Sequence, residues 1–281
     1  GGGFSDATIS ATGATVIGIR ISHIQHFDLS RIKFQSSACA RCVQVDGASF
    51  HTRIQDCRLV SFSQYGIYLT TYETFFPNGT HIENVDLSPD DAATGIYTDA
   101  AIVGLKIKDS WIEWAATKGG TAIDLNGGAS AEISGNTLSG NVSASSVAQI
   151  RHRGAGGRIQ IIGNLIAVDR GNGISQEATS SQGSSIVGNT FSVSSPTQHV
   201  ITGAELGGTT IQGNRFYLIS TAGISGSVVN LPANKVPVVI TGNYIACLTT
   251  PPTAAVGITI AATTTAGPTI TGNHFDGFVT G

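Results

Sequence analysis

The segment ISGNTL at residues 133–138 carries a pattern, Ile-x-Gly-Asn-x-apolar. It returns as IIGNLI at 161–166, IVGNTF at 186–191, IQGNRF at 211–216, ITGNYI at 240–245 and ITGNHF at 270–275. Weaker copies run back toward the N-terminus as IKDSWI at 107–112, IENVDL at 82–87, IQDCRL at 54–59 and LSRIKF at 29–34. Successive starts advance by 25, 28, 25, 26, 28, 25, 25, 29 and 30 residues, the near-constant period of a solenoid. A second apolar segment precedes the copies, as CVQV (42–45), GIYL (66–69), GIYT (95–98), AIDL (122–125), QIRH (149–152), VVNL (228–231) and GITI (257–260). Both segments alternate apolar and polar residues between clusters of Gly, Asn, Ser and Thr, which is strand patterning with no helical stripe.

Like strands that recur every 25–30 residues bury their apolar faces by stacking on one another. The expected fold is therefore all-β: a single-stranded parallel β-helix of about ten coils. Residues 25–281 make the β-helix domain, with the candidate site in its first half and an asparagine-ladder shaft in its second, and residues 1–24 make an N-terminal lead-in. The ladder consists of Asn136, Asn164, Asn189, Asn214, Asn243 and Asn273, where Asn is expected to tolerate a left-handed backbone and to bond the Asn above and below. Ile32, Cys57, Val85 and Ser110 hold the same place in the first four coils, and the ladder is expected to be broken there.

Composition excludes several classes. With 41% hydrophobic residues and a net charge of −3 the chain is not disordered. Its pI of 6.1 and scattered basic residues give no footprint for a phosphate backbone, so nucleic acid is not an expected partner. No apolar run approaches the ~20 residues of a membrane span. No cofactor motif is legible and none is expected. Gly1-Gly2-Gly3 at the start and the absence of methionine read as a piece excised from a longer chain.

The run from FDLSRIKF (27–34) through IQDCRLVSFSQYGIYL (54–69) and IENVDL to IKDSWIEW (107–114), together with the IxGNxF turns, resembles the right-handed β-helix of the pectate-lyase-like superfamily. Within it, the run is most similar to the central domain of bacteriophage tailspikes. The resemblance implies a homotrimer on a virion tail, outside the cell, that binds and cleaves a bacterial surface polysaccharide (capsule or O-antigen). The superfamily also holds lyases, esterases, epimerases and inactive members, so the motifs specify the fold more closely than the reaction.

Columns of outward residues follow from the period, since neighbouring coils lie about 4.8 Å apart. On the first strand one column reads Gln44, Tyr68, Tyr97, Asp124, Arg151, and the next Asp46, Thr70, Asp99, Asn126, Arg153. Tyrosines beside carboxylates and guanidinia suit a sugar, so Tyr68, Tyr97, Arg151 and Arg153 are candidate binding residues, and Asp99 and Asp124 a candidate catalytic pair. The plainer reading is a solvated sheet face. On the repeat strand Arg58, Asp86, Trp111, Thr137 and Leu165 form one outward column, and Val60, Ser88, Glu113, Ser139 and Ala167 another. Asp86 and Glu113 then stand roughly 8 Å apart at the backbone, within the range in which inverting glycosidases hold acid and base. Trp111 would desolvate a carboxyl and give a sugar a stacking platform. The competing reading packs Trp111 and Trp114 against another subunit, with Glu113 capping a turn.

Fourteen of the eighteen acidic residues precede residue 140, which places any chemistry in the first half. The loop TTYETFFPNGTH (70–81) is long enough to wall a groove or insert between subunits. Cys39, Cys42, His51 and Cys57 fit no standard zinc module and read as buried thiols. His152 alternates inward and reads as a hydrogen-bonded core histidine. Two classes of function remain: a trimeric depolymerase that hydrolyses glycosidic bonds, with a polysaccharide lyase as its variant, and a non-catalytic glycan-binding or structural spike.

Overall fold

The computed structural model describes residues 2–34, 39–99, 101–115, 117–140, 143, 146–154, 157–177, 183–194, 199–204, 206–219, 226–231, 237–248, 256–260 and 267–277. Among them every regular element is a β-strand, and no helix is long and apolar enough to cross a membrane. The strands form two parallel sheets, one of ten strands and one of twenty, and the chain is a parallel β-solenoid. A representative coil contributes Thr94–Thr98 to the ten-stranded sheet. After a crossing it gives Leu105–Lys108 and Trp111–Glu113, two short strands flanking a turn, to the twenty-stranded one.

The repeat phase of the sequence is the register of the solenoid. Leu29, Ile54, Ile82, Ile107, Ile133, Ile161, Ile186, Ile211, Ile240 and Ile270 pair in succession, and all but Ile270 are at most 1% exposed. On the ten-stranded sheet Val43, Ile67, Ile96, Ile123 and Ile150 pair in the same way. That sheet then passes through Ile174 and Ile201, on two rungs (Asn172–Gln176 and Ile201–Gly203) absent from the sequence pattern, before reaching Val229 and Ile258. Each buried Ile contributes about 2 kcal/mol, and a one-residue slip would turn a whole column to solvent. Residues 2–22, read as a lead-in, supply a further rung: Gly2–Ile9 pairs with Phe27–Phe34, and Ile17–Ser22 with Cys39–Asp46.

The asparagine ladder forms, with two corrections. The left-handed residue is the glycine before each Asn (φ 61–67° at Gly135, Gly163, Gly188, Gly213, Gly242 and Gly272), not the Asn. That choice leaves the Asn side chain free to point inward and bond. Asn189 shows the pattern: its backbone N–H and Nδ2 both donate to Asn214 Oδ1 (2.9 and 3.0 Å), and Nδ2 also donates to the Ile161 carbonyl (2.9 Å). Its own Oδ1 accepts the N–H and Nδ2 of Asn164 (2.9 Å each). The ladder also extends one coil past the asparagines. Ser110 donates its N–H to Asn136 Oδ1 (3.0 Å) and its hydroxyl accepts from Val85 N–H (3.2 Å).

Other expectations shift. Trp114 is buried, because the chain turns inward directly after the three-residue strand Trp111–Glu113, and Phe76 packs against the core. Cys39, Cys42 and Cys57 are buried thiols, whereas His51 stacks on His26 with centroids 5.0 Å apart. His152 does point inward, between Leu125 and Gln176, yet neither ring nitrogen has a hydrogen-bond partner among the described residues. Burial pushes its pKa below the usual imidazole range.

Two measurements test this account. Asn189→Ala removes an acceptor shared by two buried donors and is expected to cost about 3 kcal/mol in urea unfolding; a loss below about 1 kcal/mol would contradict the ladder's role. For His152 the folded pKa is depressed, so its linkage is silent above the unfolded value. Below pH ~6.5 the unfolded chain takes a proton that the folded chain refuses, and stability falls by up to ~1.4 kcal/mol per pH unit. His152→Leu, which matches Leu125 in the same column, is expected to flatten that acid limb, and an unchanged limb would contradict it.

Candidate functional site

The two candidate sets lie on different sheets. Asp86, Trp111 and Glu113 are on the twenty-stranded sheet, Tyr68, Tyr97, Asp124 and Arg151 are on the ten-stranded one, and Asp99 and Arg153 directly follow strands of the latter.

On the ten-stranded sheet the columns stand as expected, Gln44 beside Tyr68, Tyr97, Asp124 and Arg151 in turn. They are not an open ladder. Tyr65 joins Tyr68 and Tyr97 in a stack with centroids 4.6–5.6 Å apart. The Arg41 guanidinium lies 4.4 Å from the Tyr68 centroid and that of Arg153 lies 5.9 Å from Tyr97. The ring faces that would cover a pyranose are occupied by one another and by arginine. The carboxylates are engaged too. Asp124 is 5% exposed and takes a bidentate pair of hydrogen bonds from Arg153 (2.9 and 2.7 Å), and burial pushes its pKa up against the pull of that guanidinium. Glu177 holds Arg151 in the same way (2.8 and 2.7 Å). Asp46 is 1% exposed; burial works against its carboxylate, but hydrogen bonds from Ser22, Arg20 and Gln44 outweigh it and keep the pKa low. Asp99 accepts the Tyr68 hydroxyl, and burial together with that bond pushes the phenol up to about 12.

The twenty-stranded sheet is more open. Arg58, Asp86 and Trp111 pair across three successive coils, as expected, and their outward side chains line a groove of about 430 Å³ together with Asn84, Asp109 and Glu113. Trp111 is 52% exposed. Arg58 holds Asp86 by an ion pair at 3.2 Å, which at such exposure orients the carboxylate more than it stabilises the fold. The Glu113 carboxyl has no hydrogen-bond or ion-pair partner among the described residues, its backbone being paired with the strand of Ser139. A second concavity of about 350 Å³ shares Ser88 and Glu113 with the first and ends at the Asp90–Lys118 pair (2.7 Å). Asp86 and Glu113 are offset by one coil and two residues, roughly 8 Å at the backbone, and both line the groove. Among the described residues no cluster of three or more His, Cys, Asp or Glu is placed to hold a metal ion.

Asn84 and Asp109 escaped the column reading, although a signal for them is present. They occupy the left-handed turn position that glycine fills from Gly135 onward, with φ of 51° and 49°. A side chain there costs about 1 kcal/mol or more and is best tolerated as Asn or Asp. Strain of this kind gathers at functional sites. The coils before Gly135 bear it, at Arg31, Asp56, Asn84 and Asp109, and the shaft coils do not. The Asp109 carboxylate reaches over Gly135 of the next coil, where a Cβ would collide with Oδ1.

The chain matches no protein-family model and no curated protein. Among solved structures it is similar to the catalytic unit of a thermostable GH87 α-1,3-glucanase from Streptomyces thermodiastaticus strain HF3-3. The TM-score is 0.58 at 15% identity, covering 92% of this chain and 50% of that one. It is also similar to variants of the tailspike protein of E. coli bacteriophage HK620. One, in complex with a hexasaccharide, has a TM-score of 0.55 at 11% identity and covers 89% of this chain and 46% of that one. Another, in complex with a pentasaccharide, has a TM-score of 0.52 at 9% identity and covers 89% and 47%. The chain spans about half the length of these structures, and the likeness is one of fold, the parallel β-helix.

The tyrosine strip yields a direct check. Absorbance titration at 295 nm is expected to show one tyrosine ionising at about 12, and Asp99→Asn to bring that transition down toward the ordinary ~10. A wild-type chain whose tyrosines all titrate near 10 would contradict the Tyr68–Asp99 bond.

Proposed function

We propose that this chain is the polysaccharide-cleaving part of a tailspike-type protein, and that it hydrolyses a glycosidic bond of a bacterial capsule or O-antigen in the groove over Asp86, Trp111 and Glu113. The observation that carries this reading is the meeting, in one groove, of two carboxylates from adjacent coils and a half-exposed tryptophan. The shared fold of the glucanase and the oligosaccharide-bound tailspike supports it. By the same resemblance the working form is a homotrimer on a virion tail, outside the host cell, and the exposed Tyr72 and Phe75 offer contacts for a neighbouring subunit.

In this mechanism the sugar ring stacks on Trp111. Asp86, oriented by Arg58, takes a proton from a water whose oxygen bonds to the anomeric carbon. As the glycosidic C–O bond breaks, Glu113 gives its proton to the departing oxygen, and exchange with solvent restores both groups. On the other sheet Asp99 and Asp124 are committed to Tyr68 and Arg153, which makes that strip a structural brace.

Incubation with a panel of bacterial capsules and lipopolysaccharides, following chain length and absorbance at 235 nm, tests the reading. Shortening without absorbance is expected. Glu113→Gln and Asp86→Asn are expected to lower turnover at least a hundredfold with the melting temperature unchanged. Full turnover in both variants would sink the assignment, and binding without any shortening would favour the non-catalytic spike.

A further inference from the structure

The charge of the groove says which sugars it takes. Its lining carries Asp86, Asp109 and Glu113, and the adjoining concavity adds Asp90. The lining cations are Arg58 and Lys118, and each already holds an acid, Asp86 at 3.2 Å and Asp90 at 2.7 Å. In the flanking columns Arg53 holds Glu83 (2.8 Å) and Lys108 holds Glu132 (2.7 Å), and Lys106, in the column of Arg53, lies outside the lining. Lys33 pairs beside Arg58 one coil farther off and lies outside the lining. Asp109 and Glu113 therefore form no ion pair among the described residues, although the Lys108 charge reaches Asp109, and the concave surface concentrates the field of the Asp109 carboxylate.

A uronate or sialate carboxylate placed here would face the Asp109 carboxylate, with Glu113 protonated as the acid of the proposed mechanism, and would find no unpaired guanidinium or ammonium in the lining to receive it. Hydroxyls and acetamido groups, by contrast, would find acceptors in Asp109, Glu113 and the Asn84 carbonyl, whose Nδ2 donates to Asp56 Oδ1 (2.7 Å), and an apolar platform in Trp111. We propose that the sugar residues on either side of the bond cleaved in this groove are uncharged, and that Asp109 is a specificity-determining residue that excludes acidic glycans. The inference rests on the groove being the site of cleavage. It goes further in one respect: β-elimination requires a uronate at the cleaved residue, so a neutral site is a hydrolase site and not a lyase site.

The placement of Asp109 supports this role. Glycine fills its turn position in the six coils from Gly135 to Gly272 and would serve here at lower strain. A carboxylate is held instead in a left-handed turn of the groove lining, with its Oδ1 beside Gly135 of the next coil.

Product analysis decides the matter. Each capsule or O-antigen of the panel that the protein shortens is digested to oligosaccharides, and mass spectrometry of the reduced products identifies the new reducing-end sugar and its former neighbour. Neutral sugars at both places are expected. A uronate or sialate at either place, in a digestion that Glu113→Gln abolishes, would overturn the charge inference and leave cleavage in the groove standing. Products that survive Glu113→Gln, or no shortening of any glycan, would overturn the functional reading and this inference with it. Asp109→Asn, which keeps a residue tolerant of the left-handed turn, is expected to raise the ratio of kcat/KM for acidic over neutral glycans about threefold, the weight of one like charge removed at this range in a solvated cleft. An unchanged ratio would remove Asp109 from the role.

Discussion

Every feature of this molecule depends on each coil lying directly on the one before it in a fixed register. Two inward columns enforce that register from opposite sides of a turn. The isoleucine column is apolar and tolerates small shifts; the asparagine column does not, because each Oδ1 must meet two donors of the neighbouring coil at about 2.9 Å. Burial supplies most of the stability, and the amide ladder selects one stacking phase among those that burial alone would allow.

With the interior so constrained, variation is possible only on the outside and at the turns, and there the two halves diverge. From Gly135 onward the turn reads Gly-Asn and presents nothing to solvent. In the coils before it the same turn carries Asp56, Asn84 and Asp109, and the strand after it carries Arg58, Asp86 and Trp111. A groove is the geometric result of polar side chains projecting at the turn beside a tall tryptophan on the strand. The opposite sheet uses its outward residues differently. Asp124 with Arg153, Glu177 with Arg151 and Asp46 with Arg20 tie coil to coil, so that sheet is fastened on its outer face as well as its inner one.

Much of this was legible in the sequence because a solenoid maps sequence period onto space. The stacking of Leu29 through Ile270, the order of Gln44, Tyr68, Tyr97, Asp124 and Arg151, and the neighbourhood of Asp86 and Trp111 all follow from counting. Exposure was harder to read. Alternation marks Asp46 and Asp124 as outward, but side chains only about 4.8 Å from their neighbours cover one another, and both are buried. Alternation also ends where a strand ends, which is why Trp114 turns into the core. The rungs around Ile174 and Ile201 were hidden because neither alternates: Ile174 stands alone between Gly173 and Ser175, and Ile201 follows Val200 directly and is followed by Thr202 and Gly203. Asp109 could have been found by aligning IKDSWI with ISGNTL, where it stands against Gly135, but a residue replacing glycine at a turn announces itself only once the backbone is known to be left-handed there.

The central claim is that the groove over Asp86, Trp111 and Glu113 is where a glycan lies. A crystal structure of the Glu113→Gln variant with an oligosaccharide from a glycan the wild type shortens tests this most directly. The account predicts a sugar ring on the face of Trp111, with the glycosidic oxygen within hydrogen-bond reach of residue 113 and a water between the anomeric carbon and Asp86. An oligosaccharide lying instead along the Tyr65–Tyr68–Tyr97 strip, with the groove filled by solvent, would contradict it.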